Sequence, residues 1–289
     1  MSAAALLPFP DVAPKSPTGI ANLAAECLWN EVRTWPKPGL VSHIDSGSHS
    51  DMDAQTFRCS IEAITPHFRA MALGGSLGCS MTELRAIGVE AERAMLAATG
   101  GINTHRGAIF GLGLLCAAAG ARAAGLSKSS STLGVIVARR WGQGILAESP
   151  RERSHGQQAC RRYGVGGARL EAAAGFPALY AVGLPALRKG SVLSPGNAEA
   201  ARLHCCFALI AALDDTNLLH RGGLSGLRFA QQSAHDFIAM GGVGRLGWRE
   251  HAFAVHCDFI ERRLSPGGAA DLLAMSLFAS EFDGSGAKS

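Results

Sequence analysis

Apolar residues recur at helical spacing along nearly the whole chain and nowhere alternate as a half-buried strand requires. Ile20, Leu23, Ala24, Cys27 and Leu28 share one face of a first helix, which Thr18 or a neighbour would cap and which runs to about Thr34 before Pro36 and Pro38 stop it. Ser50, with Asp53 three residues on, predicts the start of a second helix that turns Phe57, Ile61 and Ile64 inward. Further helices are predicted over Met81–Ala98, Ala108–Ala124, Thr132–Gln143, Pro177–Arg188, Asn197–Leu213, Leu224–Ala239, Trp248–Arg263 and through Asp271 to Phe278. Hydrophobic residues make up 47% of the chain and aromatics only 6%, so the core is built from Ala, Leu, Ile and Val, a composition that favours closely packed helices.

The expectation is an all-α fold, a single compact domain of about ten or eleven helices. No linker divides the 289 residues, so one catalytic domain over 18–282 is expected, between flexible tails at 1–17 and 283–289. The glycines between Ser154 and Pro177 argue for irregular backbone there. No apolar run reaches the roughly 20 residues that span a bilayer. A net charge of +4 with scattered basic residues gives no nucleic-acid stripe but suits a small polyanionic ligand. The eight cysteines stand mostly in apolar helical patterns without metal-site spacing, which points to reduced thiols and a cytoplasmic protein. Assembly with like chains is open on composition alone.

Chemistry-bearing residues concentrate in polar islands between the helices. The first, Glu31 to Asp53, holds Lys37 between Pro36 and Pro38, then His43, His49, Asp51 and Asp53. Its prolines fix the lysine backbone and pre-organise the cation for a phosphate or carboxylate. Asp51 and Asp53 read either as metal ligands with His49 or as helix caps. A second island, Asn103, Thr104, His105, Arg106 and Gly107, stands at a helix N-terminus, where backbone N–H groups make an anion site, although it lacks the Gly-Lys-Ser/Thr ending of a P-loop. Arg169 and Glu171 diverge on a helix, so each faces either a separate ligand or solvent. In the last island Asp214 and Asp215 follow an apolar helix whose dipole opposes their charge. Arg221, Lys37 or a magnesium ion also held by Asn217 and Thr216 would offset them, unless the segment is a solvated turn.

In order along the chain, these islands resemble the triphosphoribosyl-dephospho-CoA synthase family. The residues that carry the resemblance are Glu31 with Pro36 to Val41; Gly47 to Asp53 with Phe57 and Ser60; Asn103 to Phe110; Arg169 and Glu171 with Gly175 to Pro177; Asp214 to Gly223; and Ser265 to Gly268 with Ala270 to Ala274. Arg106 stands where the family often has lysine, and the charge is kept. The general character resembles the malonate decarboxylase branch more than the citrate lyase branch. The resemblance implies a transferase: the ribose 2′-hydroxyl of 3′-dephospho-CoA attacks C1′ of the ATP ribose, adenine leaves, and the triphosphate stays attached. The product would pass to a phosphoribosyl-dephospho-CoA transferase that loads an acyl-carrier subunit. Such a site needs cations, an acceptor for the hydroxyl proton and a donor to adenine. The roles expected are Lys37, Arg106 and Arg221 on phosphates, with Asn103, Thr104, Arg169, Glu171 and Asn217 also binding substrate. Asp51, Asp53, Asp214 and Asp215 would hold Mg2+ or the ribose, and Glu31, His49 or His105 would transfer protons. Competing readings are a magnesium-dependent N-glycosyl hydrolase and a non-enzymic carrier-assembly chaperone.

Overall fold

Residues 15–147 and 155–283 are described in the computed structural model, and among them helices carry the chain with no strand. In order these are α1 (Pro17–Val32), α2 (Ala54–Ser76), α3 (Met81–Ala98), α4 (Arg106–Ala123), α5 (Leu133–Ala147), α6 (His155–Tyr163), α7 (Gly167–Ala173), α8 (Leu184–Leu193), α9 (Ala198–Ala212), α10 (Thr216–Ala239), α11 (Trp248–Glu261) and α12 (Gly267–Asp283). A π-helical turn, Leu179–Gly183, leads into α8, and a 3₁₀ turn, Gly242–Gly244, follows α10. The all-α architecture is as expected. The described helices exceed the expected ten or eleven because the segment read as irregular contains α6 and α7.

The molecule is built around α4. Its residues from Gly111 to Ala121 are all buried, and a helix apolar on every side has to be surrounded. Helices α1, α2, α3, α5 and α12 do so. The approach of α2 is set by glycine: a methyl on Gly75 would lie 1.9 Å from the Ala117 carbonyl oxygen, and one on Gly120 would lie 1.9 Å from that of Ala72. Apart from Lys37, the largest fully buried side chains are apolar, among them Phe68, Phe176, Phe207 and Phe237.

Several helix ends differ from the sequence reading, each for a local reason. Ser16, not Thr18, caps α1 by accepting from the Gly19 amide. Asp53 itself caps α2, accepting from the Thr56 amide at 2.8 Å, while Ser50 lies outside the capping pair. The Gly222-Gly223 turn is a kink inside α10, made where Gly223 adopts φ 61°. Helix α12 begins at Gly267 and runs to Asp283, a residue assigned to the tail; its carboxylate accepts from Arg122, Tyr180 and the Leu133 amide. The remainder of both expected tails, 1–14 and 284–289, lies outside the described residues.

The α2–α4 contact yields a stability prediction. Gly75→Ala forces two backbones apart and is expected to cost roughly 3 kcal/mol, lowering Tm by roughly 6–12 °C in thermal unfolding. Gly88→Ala, in the interior of α3 with only the Met71 methyl at 3.5 Å, should leave Tm unchanged or raise it, since glycine is about 1 kcal/mol poorer than alanine in a helix.

Candidate active site

One turn of one helix gathers three of the islands. The Ser265 hydroxyl lies 2.9 Å from His49 Nε2, and Leu264 accepts from Ser48 Oγ at 2.6 Å. A methyl on Gly267 would lie 2.6 Å from Asn217 Nδ2, and one on Gly268 3.0 Å from Asp215 Oδ2. The Ala269 amide donates to Asp215 Oδ2 at 3.1 Å. Two residues on, the Asp271 carboxyl accepts from the Ala108 amide and sits so close to Gly107 that a methyl there would fall 2.0 Å from Oδ2. The start of α12 therefore touches the Glu31–Asp53, Asn103–Gly107 and Asp214–Gly223 islands together.

Beneath this turn lies a buried charge cluster. Lys37 is wholly buried and donates through Nζ to the Glu31 carbonyl at 2.7 Å and to the Glu31 carboxylate. Burial pushes the Glu31 pKa up, and the Lys37 ammonium and its hydrogen bond pull it back. Asp215 is also buried. It accepts from the Asn217 and Leu218 amides as the N-cap of α10 and from Ala269 at the head of α12; burial raises its pKa against those bonds. Asp215 thus begins a helix, where the dipole favours negative charge, and is not the unfavourable end of α9 that its sequence position suggested. Asp271 keeps a minor exposure, yet burial raises its pKa well above the ordinary carboxylate value, and the neighbouring Glu31 and Asp215 raise it further. Glu31 carries the bond to Lys37, and Glu31 and Asp215 both act on Asp271.

The second wall is histidine and hydroxyl. Buried His105 brings Nδ1 to 2.7 Å from Ser60 Oγ, which accepts from Thr104 Oγ1 at 2.7 Å. Burial first, and then Lys37, lowers its pKa to about 3, which favours the neutral imidazole. At the exposed edge, Arg221 donates to the Ser48 and Arg263 carbonyls and meets the half-buried His49, whose pKa falls through burial and Arg221 against the opposing pull of Asp51.

A family model described as ATP:dephospho-CoA triphosphoribosyl transferase matches residues 17–289, nearly the whole chain. The chain belongs to this family. Its relatives include proteins called probable 2-(5''-triphosphoribosyl)-3'-dephosphocoenzyme-A synthase. That of Azotobacter vinelandii is 41% identical over 280 residues, covering 95% of this chain and 93% of its own. That of Pseudomonas fluorescens Pf-5 is 40% identical over 265 residues and 89% of each chain, and that of Vibrio cholerae O1 is 38% identical, covering 89% and 86%. No solved structure matches. The protein is accordingly a transferase of the triphosphoribosyl-dephospho-CoA synthase type, as its islands implied.

Within a triphosphoribosyl transferase, the residues singled out from sequence fall into two groups. The structure brings Glu31, Lys37, Asp215 and His105 into one buried cluster, with Thr104 bonded behind it and His49, Asn217 and Arg221 joined to it through the first turn of α12. The others have separate partners. Asn103 accepts from the Arg106 amide, and Arg106 pairs with Glu92 at 2.9 Å. Arg169 donates to the Ile145 carbonyl at the end of α5. Glu171, its pKa raised by burial, accepts from the Ala178 amide at 2.6 Å. Exposed Asp53 caps α2, Asp51 leans on His49 at 3.4 Å, and Asp214 is exposed. Among the described residues no three His, Cys, Asp or Glu side chains are arranged to hold a metal ion. Asp51, Asp53, Asp214 and Asp215 therefore do not form a ready cage. Asp271 was passed over as a site residue. Its signal was a lone acid in the apolar run Ala269, Ala270, Leu272, Leu273.

A carboxyl whose pKa rises on folding binds its proton more tightly in the native state. It stabilises the fold at low pH and loses that contribution as pH climbs through the folded pKa. The Tm of the wild type should therefore fall as pH rises above the ordinary carboxylate range, and Asp271→Asn should flatten that slope and leave Tm equal or higher at pH 8. A slope unchanged in the variant would remove Asp271 from the account.

Proposed function

We propose that triphosphoribosyl transfer takes place over the first turn of α12, with Glu31, Asp215 and Asp271 handling the protons. The observation that carries this reading is the crowding of Asp271 by Glu31 and Asp215, with Glu31 held by Lys37, where the islands meet. As the dephospho-CoA hydroxyl attacks C1′ of the ATP ribose, its O–H bond breaks, an O–C1′ bond forms, the C1′–N bond breaks, and adenine leaves with a proton. One proton must be accepted and one supplied. Glu31 and Asp215 both raise the proton affinity of Asp271, so in this scheme Asp271 holds a proton while another member of the cluster is left to accept one. Asp271, set against the α4 backbone with some exposure, is the donor to adenine in this scheme, and Glu31 or Asp215 the acceptor.

Lys37 acts through Glu31, because its ammonium is spent there. The phosphate role belongs instead to Arg221 at the exposed edge and to Arg106 at the head of α4, both arginines with the forked donors that suit phosphate oxygens. Magnesium enters this reading as the triphosphate's own counter-ion. Asp53 and Asp215 are committed to helix capping, which leaves Asp51 and Asp214 as the carboxylates able to meet it. The product would go to a phosphoribosyl-dephospho-CoA transferase and an acyl-carrier subunit, and we assign it to malonate decarboxylase on the sequence character of the islands. Loss of the gene should then abolish growth on malonate and spare citrate fermentation.

Mass spectrometry after incubation with ATP, Mg2+ and dephospho-CoA is expected to find the triphosphoribosyl adduct and an equal amount of adenine. Adenine released without dephospho-CoA would instead indicate an N-glycosyl hydrolase. Asp271→Asn should lower kcat by on the order of 100-fold or more with the fold intact, the usual worth of a positioned acid. Near-normal turnover in that variant would exclude Asp271 as the donor.

A further inference from the structure

His105 is 3% exposed, and its Nε2 has no hydrogen-bond partner among the described residues. An unpaired polar atom in that setting costs on the order of 1–3 kcal/mol, which natural sites carry where a ligand later supplies the partner. The other ring nitrogen explains which kind of partner is needed. Thr104 Oγ1 donates to Ser60 Oγ, which is itself wholly buried and lies 2.7 Å from His105 Nδ1. With one lone pair of Ser60 taken by Thr104, the Ser60 proton has a single acceptor at hand, the Nδ1 lone pair. A neutral imidazole carries one N–H, so with Nδ1 accepting, the hydrogen is on Nε2. Phe57 packs edge-on against the ring, centroids 4.9 Å apart, and holds its plane.

We propose that His105 is a hydrogen-bond donor, through Nε2–H, to a phosphate oxygen of the nucleotide, and that Ser60 and Thr104 are the positioning residues that fix this tautomer. A phosphate oxygen is the acceptor the surroundings select. His105 is the N-cap residue of α4, whose terminal dipole favours an anion, and the Lys37 ammonium is close enough to depress the imidazole pKa. The ring stays neutral, so the contact neither titrates near neutrality nor removes the proton chemistry from the carboxyl cluster. This inference rests on the transferase reading only for the identity of the ligand.

The test is the imidazole 15N spectrum of the full-length, ligand-free protein, with His105 assigned by the signals lost in His105→Gln. The expected result is a pyridine-type Nδ1 and a pyrrole-type Nε2, unchanged from pH 5 to pH 8, with Ser60→Ala and Thr104→Val shifting the ring toward a tautomer mixture. A pyrrole-type Nδ1, or a titration midpoint near 6.5, would overturn the proposal. Calorimetry with ATP should show roughly 10- to 100-fold weaker binding for His105→Leu and substantial recovery in His105→Gln, whose amide also donates, as expected for a bond to a charged acceptor. Equal ATP affinity in His105→Leu and wild type would refute the phosphate contact. Absence of adduct in the mass-spectrometric assay with the expected tautomer intact would fault the transfer reading and leave the tautomer assignment standing.

Discussion

A carboxylate taken out of water has to be met by N–H donors, a cation or a proton, and this protein buries Glu31 against Lys37 and Asp215 nearby, with the partly exposed Asp271 beside them. The helical architecture supplies the donors. Asp215 takes amides from the heads of both α10 and α12, and Asp271 takes one from the head of α4. Helix N-termini concentrate a helical protein's spare backbone N–H groups, and these acids sit where several helices begin at the same point. The loop before α2 is fastened to that point by His49 on Ser265, Ser48 on Leu264 and the Lys37 carbonyl against His256 Nδ1 at 2.6 Å. Moving any one of α4, α10 or α12 would strand a carboxyl.

The same arrangement divides the work between cations. Lys37 is buried with Glu31, where a lone charge would be untenable, and exchanging phosphate for Glu31 would leave that carboxylate unpaired. Arg221 lies outside, anchored by two backbone carbonyls and free to keep its charge in contact with solvent. A lysine buried against an acid and an arginine left exposed on two carbonyls are different devices, although both appear in the sequence as cations in polar islands.

Most of the fold was legible because helical periodicity is local. The α3 boundaries at Met81 and Ala98 follow from residue spacing alone, and α9 lies within one residue at each end of the run read from Asn197 to Leu213. Capping at Asp53 was one of the two readings open for that acid, although the capping pair begins there and not at Ser50. The direction of the Asp214-Asp215 pair was not, because only residues 213–215 separate α9 from α10 and the acids follow one helix while preceding the next. The glycines between Ser154 and Pro177 suggested irregular backbone, and Gly164, Gly167 and Gly175 do adopt positive φ, although α6 and α7 form within that stretch. Tertiary context decided each case. Pairing of Lys37 with Glu31 and of His105 with Ser60 was beyond any local rule, the second joining residues 45 positions apart.

Gly107 owes its identity to tertiary packing. In Asn103-Thr104-His105-Arg106-Gly107 a glycine would be demanded by the local backbone only at positive φ. Its dihedrals make no such demand, since it is not among the residues of positive φ. What requires glycine is the carboxyl of Asp271, which occupies the space where a side chain would begin. At Gly107 the second island is therefore complementary to an acid 164 residues later. A methyl at 107 would evict the carboxyl while leaving α4 helical, so the glycine belongs to the site through the acid it admits.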